Sequence, residues 1–366
     1  MKVLVVSTYG NPDKAIHAVD IWRAGRNIRE LKKHVDWDIE VRPTIMKFIK
    51  KYKNEKDFTE EELAKTVEDL ASFDIVFGSY TAFMNNMVFA LCKLVEEKHG
   101  TKFILDVDDN LFGVKKDNIG WWLYMDHDTT WDLQTIILKS QYVTTTNEYL
   151  AKELRKRRTQ DPDTVQIIPN YISNKDYKYT PDGHEGIKIG YFGGSSHYED
   201  LHKTGAIDAV RKIMHENKNV RFMSVGMPVE SYLPKKRYEY NDGCRGHAWY
   251  KEIFPLMNFD IAIAPLTDDK FAKSKSNIKW QESAMMKAAV VATSVRPYAE
   301  TIKNGVDGYL VKNTEKQWYD VLKKLVDDEE HRKQIGQNAY DRVEKEFLIE
   351  NNWQATRDAI ERVYNA

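Results

Sequence analysis

Lys275, Lys279 and Glu282 recur at i, i+4 and i+7 in the run KSNIKWQE. On a helix that spacing puts all three on one face. Cations beside a helix N-terminus suit a phosphate, and a carboxylate further along suits the paired hydroxyls of a ribose. The simpler alternative is a solvated face with a Lys279–Glu282 ion pair. Ile278, Met285, Met286 and the adjoining run AAVVAT favour a largely buried helix, where charge needs partners. A second constellation is GYFGGSSH, at 190–197, directly after a strand-like run. Gly193 and Gly194 let the backbone approach a ligand, and exposed amides there, with Ser195 and His197, could hold a diphosphate. A plain tight turn would use the same glycines. The third constellation is DVDDN, at 106–110, with three carboxylates inside four residues. Packed together, one must carry a raised pKa or meet a cation. Asp108 and Asp109 could act as a base towards an acceptor hydroxyl, bind a divalent metal, or hold sugar hydroxyls. An N-cap and a hydrated loop is the plainer reading.

These residues must be positioned by the elements before them. Short apolar runs predict buried parallel strands at 3–6, 38–42, 74–78, 102–106, 142–146 and 165–168. Helical patterns separate most of them: Ile21, Ala24, Ile28 and Leu31 share one face, and Thr59 with Glu62 forms a capping box. Residues 171–186 are polar, hold Pro181, Gly183 and Gly186, and read as an interdomain linker. A second series follows, with strands at 187–192, 219–225, 259–264, 289–293 and near 309–311, then helical patterns to about 365. Alternation of this kind implies right-handed βαβ units. The expectation is an α/β protein of two Rossmann-like domains facing each other across a cleft. Residues 1–178 form the N-terminal acceptor domain and 179–345 the C-terminal donor domain. A C-terminal helix within 346–366 packs back towards the first. Ligands bind such sheets beyond the carboxyl ends of the strands, where all three constellations fall.

A length of 366 residues suits two domains, and a net charge of -1 gives no global pull towards nucleic acid or membrane. Cys92 and Cys244 are the only cysteines and form no CxxC pair, which argues against a zinc site or disulfide framework and for a cytoplasmic setting. No apolar run is long enough to span a membrane. The basic run from Lys152 to Arg158 is a solvated helix end or a contact for an anionic acceptor. Among His17, His197, His202 and His247, only His197 stands beside a candidate site.

Four stretches, in this order and spacing, carry a family likeness: GYFGGSSHYEDL at 190–201, FDIAIAPLTDD at 259–269, KSNIKWQESAMMKAAVVAT at 275–293 and ETIKNGVDGYLV at 300–311. The chain resembles the retaining glycosyltransferases of the family 4 type, with the two-domain GT-B fold. The resemblance implies that Glu282 binds the donor ribose and that Lys275, with Lys279, lies near the donor phosphates. It places Gly193 and Gly194 beside the diphosphate, and Gly10 (in the loop after the first strand), Ser195 and His197 join them as donor-binding candidates. Asp108 and Asp109 fall near where relatives carry a histidine that touches the transferred sugar, and they join Lys275 as catalytic candidates. Two departures stand out. Ser274 replaces the first of two glutamates, and SSHYEDLHK has only Lys203 where relatives carry an arginine and a lysine.

The implied reaction moves a sugar from a nucleoside diphosphate, UDP first and GDP second, to an acceptor hydroxyl with retention. The implied enzyme is a hexosyltransferase that needs no metal, with a divalent cation still open. The acceptor is a glycan, a lipid-linked sugar or a small molecule. An alternative is a phage-type enzyme acting on 5-hydroxymethylpyrimidine in DNA, through Lys47, Lys50, Lys51, Lys53 and the 152–158 run. Others are a non-catalytic nucleotide-sugar binder and an epimerase of the same fold.

Overall fold

The computed structural model describes residues 1–7, 20–42, 59–80, 86–116, 118, 127–177, 183–229, 233–243 and 252–366. The chain divides into two compact units. Unit 1 comprises Met1–Phe112, Tyr124–Asn170 and Asn352–Ala366, and unit 2 comprises Gly113–Leu123 and Tyr171–Asn351.

Unit 1 is built on a six-stranded parallel sheet of order β2-β1-β3-β4-β5-β6. The strands are β1 (Lys2–Val6), β2 (Asp38–Arg42), β3 (Ile75–Ser79), β4 (Lys102–Val107), β5 (Tyr142–Thr145) and β6 (Val165–Ile167). Side chains alternate across a strand, so the unbroken apolar run of β1 feeds two cores. Leu4 and Val6 join Val76, Leu105 and Val143 on one side. Val3 and Val5 join Ile75, Phe77 and Ile104 on the other, where Ala24, Ile28 and Leu31 cover them together with Ala359, Ile360 and Val363 of the helix Gln354–Asn365. The capping box at Glu60–Ala71 is closed by Glu62 N donating to Thr59 Oγ1 (3.2 Å) and Thr59 N to Glu62 Oε2 (3.0 Å).

Unit 2 repeats the plan with order β12-β11-β10-β7-β8-β9, all parallel. Its strands are β7 (Ile187–Phe192), β8 (Val220–Val225), β9 (Tyr238–Asn241), β10 (Ile261–Ala264), β11 (Ala289–Thr293) and β12 (Tyr309–Val311). β9 carries no sequence signal because YEYN has no apolar run. It is an edge strand, paired only with β8, and is tied down by Tyr238, whose hydroxyl lies 2.7 Å from Ser224 Oγ and accepts from Val229 N (2.9 Å). Residues 171–177 are not a loose linker. Ile172 N donates to Phe347 O (3.1 Å) and Ile349 N to Ile172 O (2.7 Å), which fixes this stretch within unit 2.

The expected helix opening at Lys275 is corrected. A short helix, Lys270–Lys273, ends first, and the Ser274 hydroxyl lies 2.7 Å from Phe271 O and 3.1 Å from Lys270 O. Such a side chain competes for the carbonyls a continuing helix needs. The next helix is Ile278–Met285, started by Asn277 O accepting from Gln281 N (3.2 Å). Lys275 therefore lies before the helix, and only Lys279 and Glu282 lie on it.

Candidate functional site

In sheet order β7 is followed by β8 and β9 on one side and by β10, β11 and β12 on the other, so the winding reverses between β7 and β10. A crevice opens at the carboxyl ends of strands at such a point, because the two loops leave in opposite directions. The loop after β7 is Gly193-Gly194. The segment after β10 leads through Thr267 and Asp269 to the helix Ile278–Met285.

Lys279 is the central side chain here. Its Nζ is shut off from solvent and has no hydrogen-bond partner among the described residues. It lies over the ring of Tyr191 on β7, 5.2 Å from the centroid. Burial lowers the Lys279 pKa to about 8, helped by the charge of Lys275 and opposed by Asp200 and Glu282. A Cβ at position 193 would stand 3.1 Å from Lys279 Nζ and 2.6 Å from the Tyr191 hydroxyl, so glycine keeps this approach open. The Gly193 amide is itself spent on Val225 O (3.0 Å). Gly193 thus contributes space rather than the free donor expected from sequence. Lys275 holds its Nζ 4.0 Å from the Phe271 ring centroid.

Asp200 is the residue that sequence reasoning missed. It is 7% exposed, and both of its oxygens are engaged. Oδ1 accepts from Thr267 N (2.7 Å) and lies 2.9 Å from Thr267 Oγ1, while Oδ2 lies 2.8 Å from His197 Nδ1. One carboxylate therefore ties the loop after β7 to the segment after β10. Burial pushes its pKa up, but the hydrogen bonds and charge of His197, the Thr267 amide and Lys279 outweigh that and hold it below the usual range. His197 moves the other way. Burial, with the nearby charges of Lys279 and Lys275, lowers it to about 4 against the pull of Asp200, so the ring is neutral at physiological pH. The His-x-x-Asp spacing at a helix start was the available signal.

Glu282 is 5% exposed, and its Oε1 accepts from the Tyr177 hydroxyl (2.7 Å). The helix beneath it is anchored by Trp280 Nε1 donating to Asp307 O (2.9 Å). Nothing local in the sequence foretells Tyr177, which lies 105 positions away. The segment Gly113–Leu123 also belongs to unit 2: Asn118 Nδ2 donates to Ser196 O (3.2 Å), and Lys115 pairs with Asp269 (3.4 Å). Gly10 and the Ser195 side chain lie outside the described residues, as do His17, His247 and Cys244.

The DVDDN cluster behaves differently from the expectation of three competing carboxylates. Asp106, at the end of β4, is fully buried in a two-pronged pair with Arg23 (Nε to Oδ2 and Nη2 to Oδ1, both 2.8 Å) and also accepts from Thr144 Oγ1 (2.6 Å). Arg23 Nη1 reaches Ile168 O (2.6 Å) and Asn170 Oδ1 (2.8 Å). The cation that the cluster demanded is thus Arg23. Burial lowers the guanidinium pKa, yet Asp106 and Asp108 outweigh it. Asp108 and Asp109 follow β4 directly and are half-buried. No group of three His, Cys, Asp or Glu side chains among the described residues is arranged to hold a metal.

The basic run is largely consumed by structure. Arg155 pairs with Glu148, and Lys156 and Arg157 with Glu153. Arg158 is buried and donates to Ser140 O and Gln141 O. Lys47, Lys50, Lys51 and Lys53 lie outside the described residues. No helix among the described residues is long and apolar enough to cross a membrane.

Against this geometry stand the likenesses to known proteins. A family model described as glycosyl transferases group 1 matches residues 187–328. The capsular polysaccharide biosynthesis glycosyltransferase CapM of Staphylococcus aureus is 23% identical over 209 residues, 56% of this chain. The chain spans about half the length of that relative (51%). Anabaena Alr3699/HepE, solved in complex with UDP-glucose, is 12% identical with a TM-score of 0.65, covering 100% of both chains. Sucrose-phosphate synthase from Thermosynechococcus elongatus is 13% identical with a TM-score of 0.66, covering 100% of this chain and 99% of that one. At such identity these structures speak for the fold alone. With two six-stranded parallel sheets, the chain has the GT-B fold, and its residues 187–328 are similar to the glycosyl transferases group 1.

Proposed function

We propose that this protein is a glycosyltransferase that moves a sugar from a nucleoside diphosphate to an acceptor hydroxyl. One observation carries the reading: the Lys279 ammonium is sealed beside Gly193 at the switch point of unit 2 with no partner among the described residues. A buried ammonium that makes no hydrogen bond is costly to keep, and an arriving diphosphate would complete it. Glu282, one turn further along the same helix, serves the ribose. Lys275 adds a second cation for the leaving diphosphate, so fixed charge replaces a metal in stabilising bond cleavage. The UDP-glucose complex of the Anabaena protein supports UDP as the donor base. Transfer with retention follows the family resemblance, and Asp108 and Asp109 are the carboxylates we assign to the acceptor side. A saccharide acceptor accords with the likeness to CapM. It also accords with a basic run already engaged within unit 1.

The direct test is a panel of UDP- and GDP-sugars, scored by melting temperature and by slow donor hydrolysis. A UDP-sugar should raise the melting temperature and be hydrolysed, and the anomer released reports retention. Failure of every member to bind would sink the proposal. Glu282→Gln keeps an acceptor for the Tyr177 hydroxyl but removes the charge offered to ribose. It should weaken UDP about 10- to 100-fold, the range for one or two charge-assisted hydrogen bonds. Unchanged UDP affinity would remove Glu282 from the site.

A further inference from the structure

Carboxylates and hydroxyls able to receive a sugar hydroxyl are scarce around the Lys279 crevice. Both oxygens of Asp200 are occupied by Thr267 and His197. Asp269 Oδ1 caps Ala272 N (2.8 Å), and its Oδ2 is shared by Thr267 Oγ1 (3.1 Å) and Lys115 (3.4 Å). Ser274 is fully buried, with its hydroxyl turned to backbone carbonyls. Glu282 is committed to Tyr177 and to the ribose. Among the described residues the Tyr191 hydroxyl beside Gly193 also lacks a partner but is fully buried, whereas His197 keeps some exposure and offers an acceptor at Nε2.

The ring of His197 is held by Asp200, an ionised carboxylate that can only accept. The proton on the imidazole therefore sits on Nδ1, which leaves a lone pair on Nε2. Nε2 has no partner among the described residues, and 16% of the side chain stays exposed. A lone pair repels phosphate oxygens and accepts from a hydroxyl. We propose that His197 Nε2 accepts a hydrogen bond from a hydroxyl of the donor's sugar moiety, with Asp200 as the positioning residue that fixes the tautomer. The assignment rests on the donor reading above and names a residue that recognises the sugar rather than the nucleotide.

Two variants separate the ring atoms. Asparagine in His197→Asn reproduces the Nδ1 donor to Asp200 but lacks the outer acceptor. Glutamine in His197→Gln places an oxygen near the Nε2 position. Binding is measured by calorimetry for UDP-glucose against UDP, and for GDP-mannose against GDP. His197→Asn should keep the wild-type melting temperature and the wild-type affinity for the free nucleotide. It should lose about tenfold of nucleotide-sugar affinity, the worth of one hydrogen bond, and His197→Gln should recover part of that loss. Wild-type nucleotide-sugar affinity in His197→Asn would overturn the proposal, as would equal weakening of nucleotide and nucleotide sugar. If the wild type binds neither pair, the donor reading itself fails and this assignment falls with it.

Discussion

Lys279→Met is expected to weaken donor binding sharply and to leave the free protein at least as stable as the wild type. Methionine fills a similar volume without bringing a charge into the crevice. A sealed polar atom without a partner costs about 1–3 kcal/mol, so removing it relieves the free fold. The sign follows from the pKa. In the folded chain Lys279 titrates near 8, below the ordinary 10.5 of the unfolded chain. The penalty on the charged form is therefore complete below about 8 and fades as pH rises from there towards 10.5. Donor binding should run the opposite way. A diphosphate needs the ammonium, so donor affinity should fall as pH rises through about 8 in the wild type and lose that dependence in the variant. Turnover should drop about 100- to 1000-fold, as when one preorganised charge-stabilising group is removed. Melting curves with and without UDP at pH 7 and 9, beside donor hydrolysis rates, decide it. A less stable Lys279→Met variant with normal turnover would mean that Lys279 is a structural residue.

Asp106→Asn should cost unit 1 about 3–5 kcal/mol, the range for stranding one partner of a buried ion pair. Asp106 and Arg23 are almost wholly buried, and Arg23 also gathers Ile168 O and Asn170 Oδ1, joining the segment after β1 to the ends of β4 and β6. The amide keeps one acceptor but leaves a guanidinium without its counter-charge. Replacing both residues with apolar ones, as in Arg23→Met with Asp106→Leu, should recover a good part of the loss, because neither charge is then stranded. Urea unfolding followed by hydrogen exchange at the amides of β1, β3 and β4 reports on this unit. A loss below about 1 kcal/mol in Asp106→Asn would show the pair to be incidental.

The strands were legible because buried parallel strands are written as short apolar runs, and β1, β7 and β11 lie where those runs stand. The edge strand β9 was not, since an edge needs only one pairing side and can be as polar as YEYN. Local spacing placed Lys279 and Glu282 on one helix. It misplaced Lys275, because periodicity does not register a serine that turns back on its own carbonyls. The carboxylate cluster left open a raised pKa or a cation; Asp106 meets a cation, but spacing could not say that it would be Arg23, 83 positions earlier. Asp200 escaped notice for the same reason: its value lies in bridging to Thr267, 67 positions on.

Unit 1 is not contiguous. The helix Gln354–Asn365, which supplies Ala359, Ile360 and Val363 to the face beneath β1, is translated only after the whole of unit 2. On the ribosome, then, the sheet made first is the one completed last. Val3, Val5, Ile75 and Phe77 wait with part of their cover missing while unit 2 acquires all of its own strands. Order of synthesis and order of completion are reversed, so a nascent chain halted near residue 350 would expose the older half to chaperones rather than the younger.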